Sequence, residues 1–177
     1  MAILTIRTVP DPVLRQKAKR VKAIDKSVRK LINDMQETLR TASGVGLAAN
    51  QVGQTLRLIV LNVPGNDCKV VINPEVLRRI GSRVVNEGCL SIPGYIGEIK
   101  RSELVRVKGQ DTRGKEIKLK ADGLLAEVLE HEIDHLNGIL YIDHLESQEK
   151  FRKLEPPKPP EQKSDKEPQT PKQTTEK

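Results

Sequence analysis

The pattern of apolar residues predicts one helix near the start of the chain and a second near its end. Five apolar residues of the first helix recur every three or four positions and share one face: Val28, Leu31, Ile32, Met35 and Leu39. Asp25 is suited to cap this helix, for which we expect residues 25–43, with Gly44 as its stop. A second helix is expected over 122–137, because Gly138 follows it as a C-terminal stop.

Between these helices, apolar and alternating runs predict strands. The candidates are 56–62, 69–73, 75–80, 83–86, 103–108 and 116–120. The last two flank the sequence DTRG, which is typical of a hairpin turn. Since the helices lie at the two ends and do not alternate with the strands, we expect an α+β fold.

The composition changes after Leu154. Residues 155–177 contain six of the eleven prolines and no large apolar side chain. Such a segment cannot bury enough surface to offset the entropy of ordering it. We therefore expect a folded domain over residues 1–154 and a disordered tail, rich in Pro, Lys and Glu, over 155–177.

The net charge and the composition limit the classes of partner that the chain is expected to bind. The net charge is +7, and the whole excess lies in residues 1–154. This excess indicates either an anionic partner or only a solvated exterior. Aromatic residues make up only 2% of the chain, which argues against stacking on single-stranded nucleic acid. We expect no direct sequence-specific nucleic-acid binding.

The expected location is the cytoplasm. No apolar run approaches the roughly 20 residues of a membrane span, so we expect no membrane contact. Two cysteines do not make a disulfide framework, and free thiols persist in reducing compartments. We expect a monomer.

The segment LEHEIDHLNG carries the clearest chemistry. On a helix, His131 and His135 emerge on one side, one turn apart, and can share a metal ion. Leu124 and Val128 lie on the same stripe and would form an apolar wall beside it. Glu132 is displaced by about 100° around the helix, which suits a general base rather than a third ligand. A solvent-exposed helix can also show this HExxH spacing by chance.

A catalytic site needs at least a third protein ligand. The candidates downstream are His144, Asp143, Glu146 and Glu149. Upstream, Cys89 is a candidate because a thiolate is a strong ligand, and Cys68 is its rival. Sequence spacing alone does not choose between the two cysteines.

Three segments in order resemble the three motifs of peptide deformylases: GVGLAANQ (44–51), EGCLS (87–91) and HEIDHLNG (131–138). The sequence PDPVLR near the start is similar as well, and the resemblance covers about residues 3 to 145. It implies small antiparallel sheets packed around a central HExxH helix, with an N-terminal helix. It also implies metal-dependent removal of the formyl group from the N-terminal formyl-methionine of nascent polypeptides, with release of formate.

The resemblance assigns roles to individual residues. Cys89, His131 and His135 would hold Fe²⁺, for which Zn²⁺, Ni²⁺ or Co²⁺ can substitute. Glu132 would be the acid/base, and Gln51 and the backbone N–H of Leu90 would stabilise the oxyanion. The expected substrate-binding residues are Gly44, Val45, Gly46, Gly88, Val85, Leu124 and Val128.

Simpler interpretations exist for several of these residues. Gly44 and Gly46 can serve as a helix stop and a turn, and Val85 can be plain core. After EGCLSIPG comes YIGEIKR instead of the arginine-containing loop of some family members. Contacts just outside the methionine pocket are therefore the part that the resemblance predicts least.

Two other functions are compatible with the HExxH segment. An HExxH metallopeptidase would need a downstream ligand and would leave GLAANQ and EGCLS unexplained. A non-enzymatic, basic, ribosome-associated protein would have a closed structural metal site, commonly with four ligands, and only three are convincing here. For a deformylase, the expected partners are N-formylmethionyl nascent peptides and the ribosome near its peptide exit.

Overall fold

The computed structural model describes residues 2–42 and 44–154, so the predicted tail lies outside the described residues. Its two α-helices are α1 (Lys26–Thr41) and α2 (Gly123–Leu136). The strands are β1 (Gly46–Ala48), β2 (Leu58–Leu61), β3 (Lys69–Ile80), β4 (Arg83–Cys89), β5 (Ile92–Arg101), β6 (Leu104–Gln110), β7 (Glu116–Asp122) and β8 (Phe151–Lys153). They form one five-stranded sheet, β1-β2-β3-β6-β7, and one three-stranded sheet, β4-β5-β8, both antiparallel.

Strand β2 is apolar on both faces because each face packs beneath a helix. Ile59 and Leu61 belong to the core cluster that contains residues of α2. Leu58 and Val60 belong to the cluster that contains residues of α1. Because side chains alternate along a strand, the continuous run LIVL supplies both layers at once. The α+β prediction is confirmed, with α2 between the two sheets.

The amphipathic pattern of α1 is confirmed. Val28, Ile32, Met35 and Leu39 are buried on its inner face. The carboxylate of Asp25 accepts a hydrogen bond of 3.0 Å from the backbone N–H of Val28, as expected of an N-cap. Helix α1 is therefore held by its apolar stripe and begins where the sequence predicts.

The predicted helix stop at Gly44 is wrong. Helix α1 ends at Thr41, and Ala42 is already extended, with φ −86° and ψ 153°. Gly44 instead lies against Leu90, in the loop that follows β4. A Cβ at Gly44 would lie 2.7 Å from Cδ1 of Leu90, so the end of the leucine side chain would have to shift.

The strand prediction was incomplete in two ways. The predicted strands 69–73 and 75–80 are one strand, β3, because a register shift between Ile72 and Glu75 accommodates Pro74. Three strands were missed, namely β1, β5 and β8. Strand β5 contains Pro93, Gly94 and Gly97, residues that are rare in strand interiors and hide its alternation.

Within the part of the chain that the structure describes, no helix combines the length and the apolar character that crossing a bilayer requires.

Gly138 ends α2 in a left-handed conformation, with φ +75°, and an added Cβ would lie 2.5 Å from the carbonyl oxygen of Arg15. Gly65 has nearly the same φ, +77°, but no described atom within 4 Å of an added Cβ.

We predict that Gly65→Ala lowers the free energy of unfolding by about 1–2 kcal/mol, the cost of the left-handed backbone. Gly138→Ala should lose a further ~1–3 kcal/mol from overlap. Urea unfolding measures both, and equal losses would contradict this account.

Candidate active site

Helix α2 places two histidines on the side that faces the three-stranded sheet. Leu129, Ile133 and Leu136 anchor the helix in the core against the five-stranded sheet. Their i, i+4 and i+7 spacing leaves His131 and His135 on another face, where both are buried. The two Nε2 atoms lie 3.1 Å apart. The expected pairing of the two imidazoles is therefore present.

Cys89 supplies a third donor from the end of β4. Its Sγ lies 3.2 Å from Nε2 of His135, and the donor atoms of Cys89, His131 and His135 all lie within 4.8 Å of one another. Cys68 is exposed and contacts Gln36, on α1. The geometry thus favours Cys89 over Cys68, a choice that sequence spacing left open.

The downstream candidates for a third ligand have other partners. His144 pairs with Asp134 at 2.8 Å. Asp143 pairs with Arg15, and Glu146 pairs with Lys100 at 2.7 Å. Glu149 is exposed. These acidic and imidazole groups are therefore not part of the Cys–His–His cluster.

The three donors fit a metal ion. Burial and the neighbouring His131 lower the pKa of His135 well below its usual value, so this ring is neutral, the form in which an imidazole can bind a metal. Burial opposes a charge on His131, but contacts with Cys89 and Glu87 outweigh it and raise the pKa of that ring. One sulfur donor and two ring-nitrogen donors that lie within 4.8 Å of one another are suited to holding a divalent cation.

Glu132 is buried beside this cluster but is separate from the three donors. Burial raises its pKa to about 7. Its Oε2 has no hydrogen-bond partner among the described residues. Gly46 leaves the room that this carboxylate occupies, since a Cβ at Gly46 would overlap Oε1 of Glu132 and lie 2.7 Å from Cγ1 of Val128. A carboxyl group that titrates near neutrality is suited to both accepting and donating a proton.

The amide of Gln51 is oriented toward the cluster. Its Oε1 accepts a hydrogen bond of 2.8 Å from the backbone N–H of Ala48. Its Nε2 therefore points the other way and donates to Ser91 Oγ at 3.2 Å and toward Cys89 Sγ at 3.6 Å. An N–H donor is thus fixed beside the three metal-ligand candidates.

A cavity of about 480 Å³ opens onto these groups. Of the residues expected to bind substrate or stabilise the oxyanion, eight line it: Gly44, Val45, Gly46, Gln51, Gly88, Leu90, Leu124 and Val128. Val128 is buried, whereas Leu124 is 45% exposed. The cavity therefore has a deep apolar part and a rim open to solvent.

Val85 is not among the residues that line this cavity, and its contribution to the methionine pocket stays a prediction. Its side chain lies in the core cluster that contains Leu14, Ile99 and Tyr141. The side chain of Val85 faces inward on β4, on the same face as Glu87, two residues along. The alternative interpretation, plain core, agrees with this position.

An arginine that the sequence did not single out joins the two elements that carry the ligand candidates. Arg101, at the end of β5, donates to Glu87 at 2.8 and 2.9 Å and to Asp134 at 2.6 Å. Glu87 also accepts a hydrogen bond from Nδ1 of His131. Such a bond fixes the imidazole so that Nε2 is free to bind a metal.

The members of this buried cluster are ionised at neutral pH. Burial opposes the charge on Glu87, but hydrogen bonds from Arg101 and His131 outweigh it and hold its pKa at about 2. Burial also opposes the charge on Asp134, and hydrogen bonds from His144 and Arg101 lower its pKa. One guanidinium therefore balances two carboxylates in the interior.

The alternation of residues along β4 could have shown that Glu87 lies on the same strand face as Cys89. Val85, Glu87 and Cys89 alternate along β4, so a carboxylate shares a strand face with a core valine and a ligand candidate. Arg101 has a similar signal, since it lies two residues after the buried Ile99. Without the assignment of β5, that alternation was not apparent.

Comparison with known proteins identifies relatives over most of the chain. A family model described as polypeptide deformylase matches residues 3–151. A peptide deformylase from Dehalococcoides mccartyi is 53% identical over 157 residues, which cover 88% of this chain and 94% of that protein. One from Thermomicrobium roseum is 48% identical, with coverages of 86% and 91%.

Solved structures of peptide deformylases also resemble this chain over most of its length. The crystal structure of a peptide deformylase from Legionella pneumophila has a TM-score of 0.81 at 46% identity and covers 84% of this chain and 89% of that one. A peptide deformylase from Synechococcus elongatus, solved in complex with actinonin, has a TM-score of 0.80 at 44% identity, with coverages of 83% and 81%.

We predict that Arg101→Met destabilises the protein by about 3–5 kcal/mol, because it removes the buried guanidinium that balances the carboxylates of Glu87 and Asp134. Lys100→Met is the matched control, since the adjacent Lys100–Glu146 pair is largely exposed. The free energy of unfolding, measured by urea denaturation for both variants, tests this prediction. A loss for Arg101→Met no larger than that of the control would show that the buried pairs do not hold the two elements together.

Proposed function

The chain belongs to the peptide deformylase family, and from this premise we propose how its own residues carry out the reaction. It is an enzyme that removes the formyl group from N-formylmethionyl peptides, and its Cys–His–His cluster supports a metal cofactor. Family membership favours this activity over the two alternatives that the HExxH segment alone allows. The observation that carries the proposal is the convergence of Cys89, His131 and His135 beside the buried carboxyl of Glu132, whose Oε2 has no hydrogen-bond partner among the described residues.

We propose that Cys89, His131 and His135 hold the metal ion. A bound metal ion would supply a Lewis acid, which polarises a carbonyl oxygen and lowers the pKa of water. The mixed sulfur and nitrogen set is compatible with Fe²⁺, Zn²⁺, Ni²⁺ or Co²⁺. The hydrogen bond from His131 to Glu87 would keep the ring in the orientation that the site needs.

Glu132 is the acid and base of the proposed reaction. Its carboxylate takes a proton from the attacking water and gives a proton to the departing amine nitrogen. A pKa of about 7, raised by burial, suits both transfers at neutral pH. The products are formate and a free N-terminal methionine, and water completes the turnover without a covalent intermediate.

Gln51 and Leu90 are the proposed oxyanion donors. The side-chain N–H of Gln51 is fixed by the bond that Ala48 makes to its carbonyl oxygen. Together with the backbone N–H of Leu90 it would donate to the oxygen that gains charge as water adds to the formyl carbon. One such donor can contribute roughly 2.7–4 kcal/mol to transition-state stabilisation.

The peptide is proposed to bind as an added strand along the cavity. Gly44, Gly46 and Gly88 leave open backbone on its two walls, to which an extended peptide can pair. Leu124 and Val128 would contact the methionine side chain. Recognition through main chain suits an enzyme that accepts many sequences after the first residue.

We further propose Fe²⁺ as the native metal, a monomer as the active form and the cytoplasm as its location. A position near the ribosomal peptide exit would place the enzyme beside its nascent substrates. The positive excess of the chain supports an anionic surface as its neighbour.

Glu132→Ala should retain the metal and reduce turnover by at least ~10²-fold, because it removes proton transfer but no ligand. His131→Ala and Cys89→Ser should bind metal weakly. Metal content and formate release, measured on the same samples, separate the two effects.

Cys68→Ser is the matched control for Cys89→Ser, since Cys68 is exposed and away from the cavity. It should behave like the unaltered enzyme in both measurements. If Cys68→Ser lost the metal while Cys89→Ser kept it, or if Glu132→Ala lost it as His131→Ala does, the proposed roles would be wrong.

Iron beside a thiolate is sensitive to oxygen, which can oxidise the metal or Cys89. We therefore predict that enzyme purified in air loses activity, whereas anaerobic preparation retains iron and gives the higher rate per site. Zn²⁺ or Ni²⁺ should replace iron in handled samples. An enzyme that keeps full iron-dependent activity in air would contradict this reason for metal exchange.

The segment 155–177 is proposed to be a tail outside the catalytic domain of residues 1–154. Truncation after Leu154 should leave the rate on short formyl peptides unchanged, because the segment has no large apolar side chain to bury. Activity and melting temperature test this. A large fall in either would mean that the tail docks on the domain.

A further inference from the structure

The positive charge of the chain is concentrated in one short segment. Residues 15–30 contain eight Lys or Arg residues and one acidic residue, Asp25. Because the net charge of the whole chain is +7, this segment carries all of it, and acidic and basic residues balance in the rest of the chain. An excess that is confined to one segment indicates a local surface for an anionic partner rather than a general aid to solubility.

Most of these cations have no ion-pair partner in the part of the chain that the structure describes. Arg15 pairs with Asp143, and Lys30 pairs with Asp34 at 2.5 Å. The remaining six are exposed and form what we call the basic surface: Lys17, Lys19, Arg20, Lys22, Lys26 and Arg29. Their charges are therefore available to an external anion.

The backbone that carries the first four of these cations is held against the core. Every third side chain packs inward, namely those of Ala18, Val21 and Ile24. The backbone N–H of Ala18 donates to the carbonyl oxygen of Leu136 at 2.8 Å. Both backbone polar groups of Val21 bond to the side-chain amide of Asn73, at 2.8 and 3.0 Å. The cations are therefore presented from a fixed backbone, which a partner does not have to order.

Two neighbouring features add positive potential to the basic surface. Lys26 and Arg29 stand in the first turn of α1, which contains no acidic residue, so their charges add to the positive end of the helix dipole. Burial and the charge of Arg20 lower the pKa of Arg57, which indicates that these two guanidinium groups lie close enough to repel each other. A bound anion would relieve this repulsion.

The chemistry of the segment fits a phosphate backbone. Residues 15–30 include no aromatic side chain on which a base could stack. The large apolar side chains of the segment pack inward, so none is free to enter a lipid bilayer. Lys and Arg side chains contact phosphate groups by charge, without regard to base sequence. Binding of this kind agrees with the expectation that the chain makes no sequence-specific contacts with nucleic acid.

We propose that the basic surface binds the phosphate backbone of structured RNA. The choice of RNA rests on the proposed function, because nascent peptides are made on an RNA-rich particle. No residue of the segment 15–30 lines the cavity beside Glu132, so the enzyme can hold RNA and a formyl peptide at the same time. The proposal thus assigns the anionic neighbour to one face of the molecule.

The test measures binding of a fluorescently labelled RNA duplex of about 20 base pairs to the full-length, metal-loaded enzyme, between about 50 and 200 mM salt. The combined substitution Lys17→Gln, Lys19→Gln and Arg20→Gln removes three charges and leaves the backbone bonds in place. It should weaken binding by at least about tenfold. It should also flatten the slope of log K against log salt by about two to three, since each lost phosphate contact removes nearly one.

The combined substitution Arg78→Gln, Arg106→Gln and Lys120→Gln is the matched control. These exposed cations lie opposite one another on β3, β6 and β7, so the control removes the same charge from another part of the surface. It should weaken binding by less than about twofold, because salt screens charges beyond about 8–10 Å. Neither variant should alter formate release from a short formyl peptide.

A charge-conserving variant separates loss of charge from loss of structure. Lys17→Arg, Lys19→Arg and Arg20→Lys together should retain the RNA affinity of the unaltered enzyme. Absence of RNA binding by the unaltered enzyme, an unchanged affinity after the three Gln substitutions in the basic surface, or equal weakening by the control would overturn the proposal. Tighter binding to phosphatidylglycerol vesicles, or to a DNA duplex of the same sequence, would overturn the choice of RNA.

The proposed function and the basic surface can fail separately. A metal-loaded enzyme that binds RNA through the basic surface but releases no formate would contradict the proposed function alone. An enzyme that releases formate but does not bind RNA would contradict the basic surface alone.

Discussion

A buried arginine between two carboxylates is the interaction on which the site depends. Arg101 binds Glu87, two residues before Cys89, and Asp134, one residue before His135. It therefore ties the strand that carries the sulfur donor to the helix that carries the nitrogen donors. Glu87 also orients His131, so one ion-pair cluster sets both the separation of the two elements and the direction of a ring. Buried ion pairs add little net stability, and the best reason for this one is placement of the donors.

The remainder of the fold makes that cluster possible. Helix α2 can place polar side chains in the interior because its other face is fixed against the five-stranded sheet by Leu129, Ile133 and Leu136. Gly46 then allows β1 to approach Glu132, and the burial that results raises the pKa of that carboxyl to about 7. The core thus determines both where the donors lie and how the carboxyl of Glu132 titrates. Gly46 acts through the space that its missing side chain leaves, and Leu129, Ile133 and Leu136 act through apolar packing.

Much of this could be predicted from the sequence, for reasons that differ between elements. The i, i+4 spacing of His131 and His135 and the apolar stripe of α1 are local patterns, and the helix geometry converts them directly into positions. The choice of Cys89 over Cys68 required either the family resemblance or the fold, because nothing local relates β4 to α2. Arg101 was missed since a charged residue at the end of an unrecognised strand resembles a surface residue. For Val85 the choice between pocket and core stayed open, because only the register of β4 shows which way its side chain faces.

The central claim is that a metal ion held by Cys89, His131 and His135 is required to remove the formyl group. The most direct test is to strip the enzyme with a chelator, restore Fe²⁺ anaerobically in steps, and measure formate release from a formyl-methionyl peptide together with the metal bound. Activity should rise in proportion to bound metal and stop rising at one equivalent per chain. Full activity in the stripped enzyme, or cleavage of an internal peptide bond without formate, would contradict it.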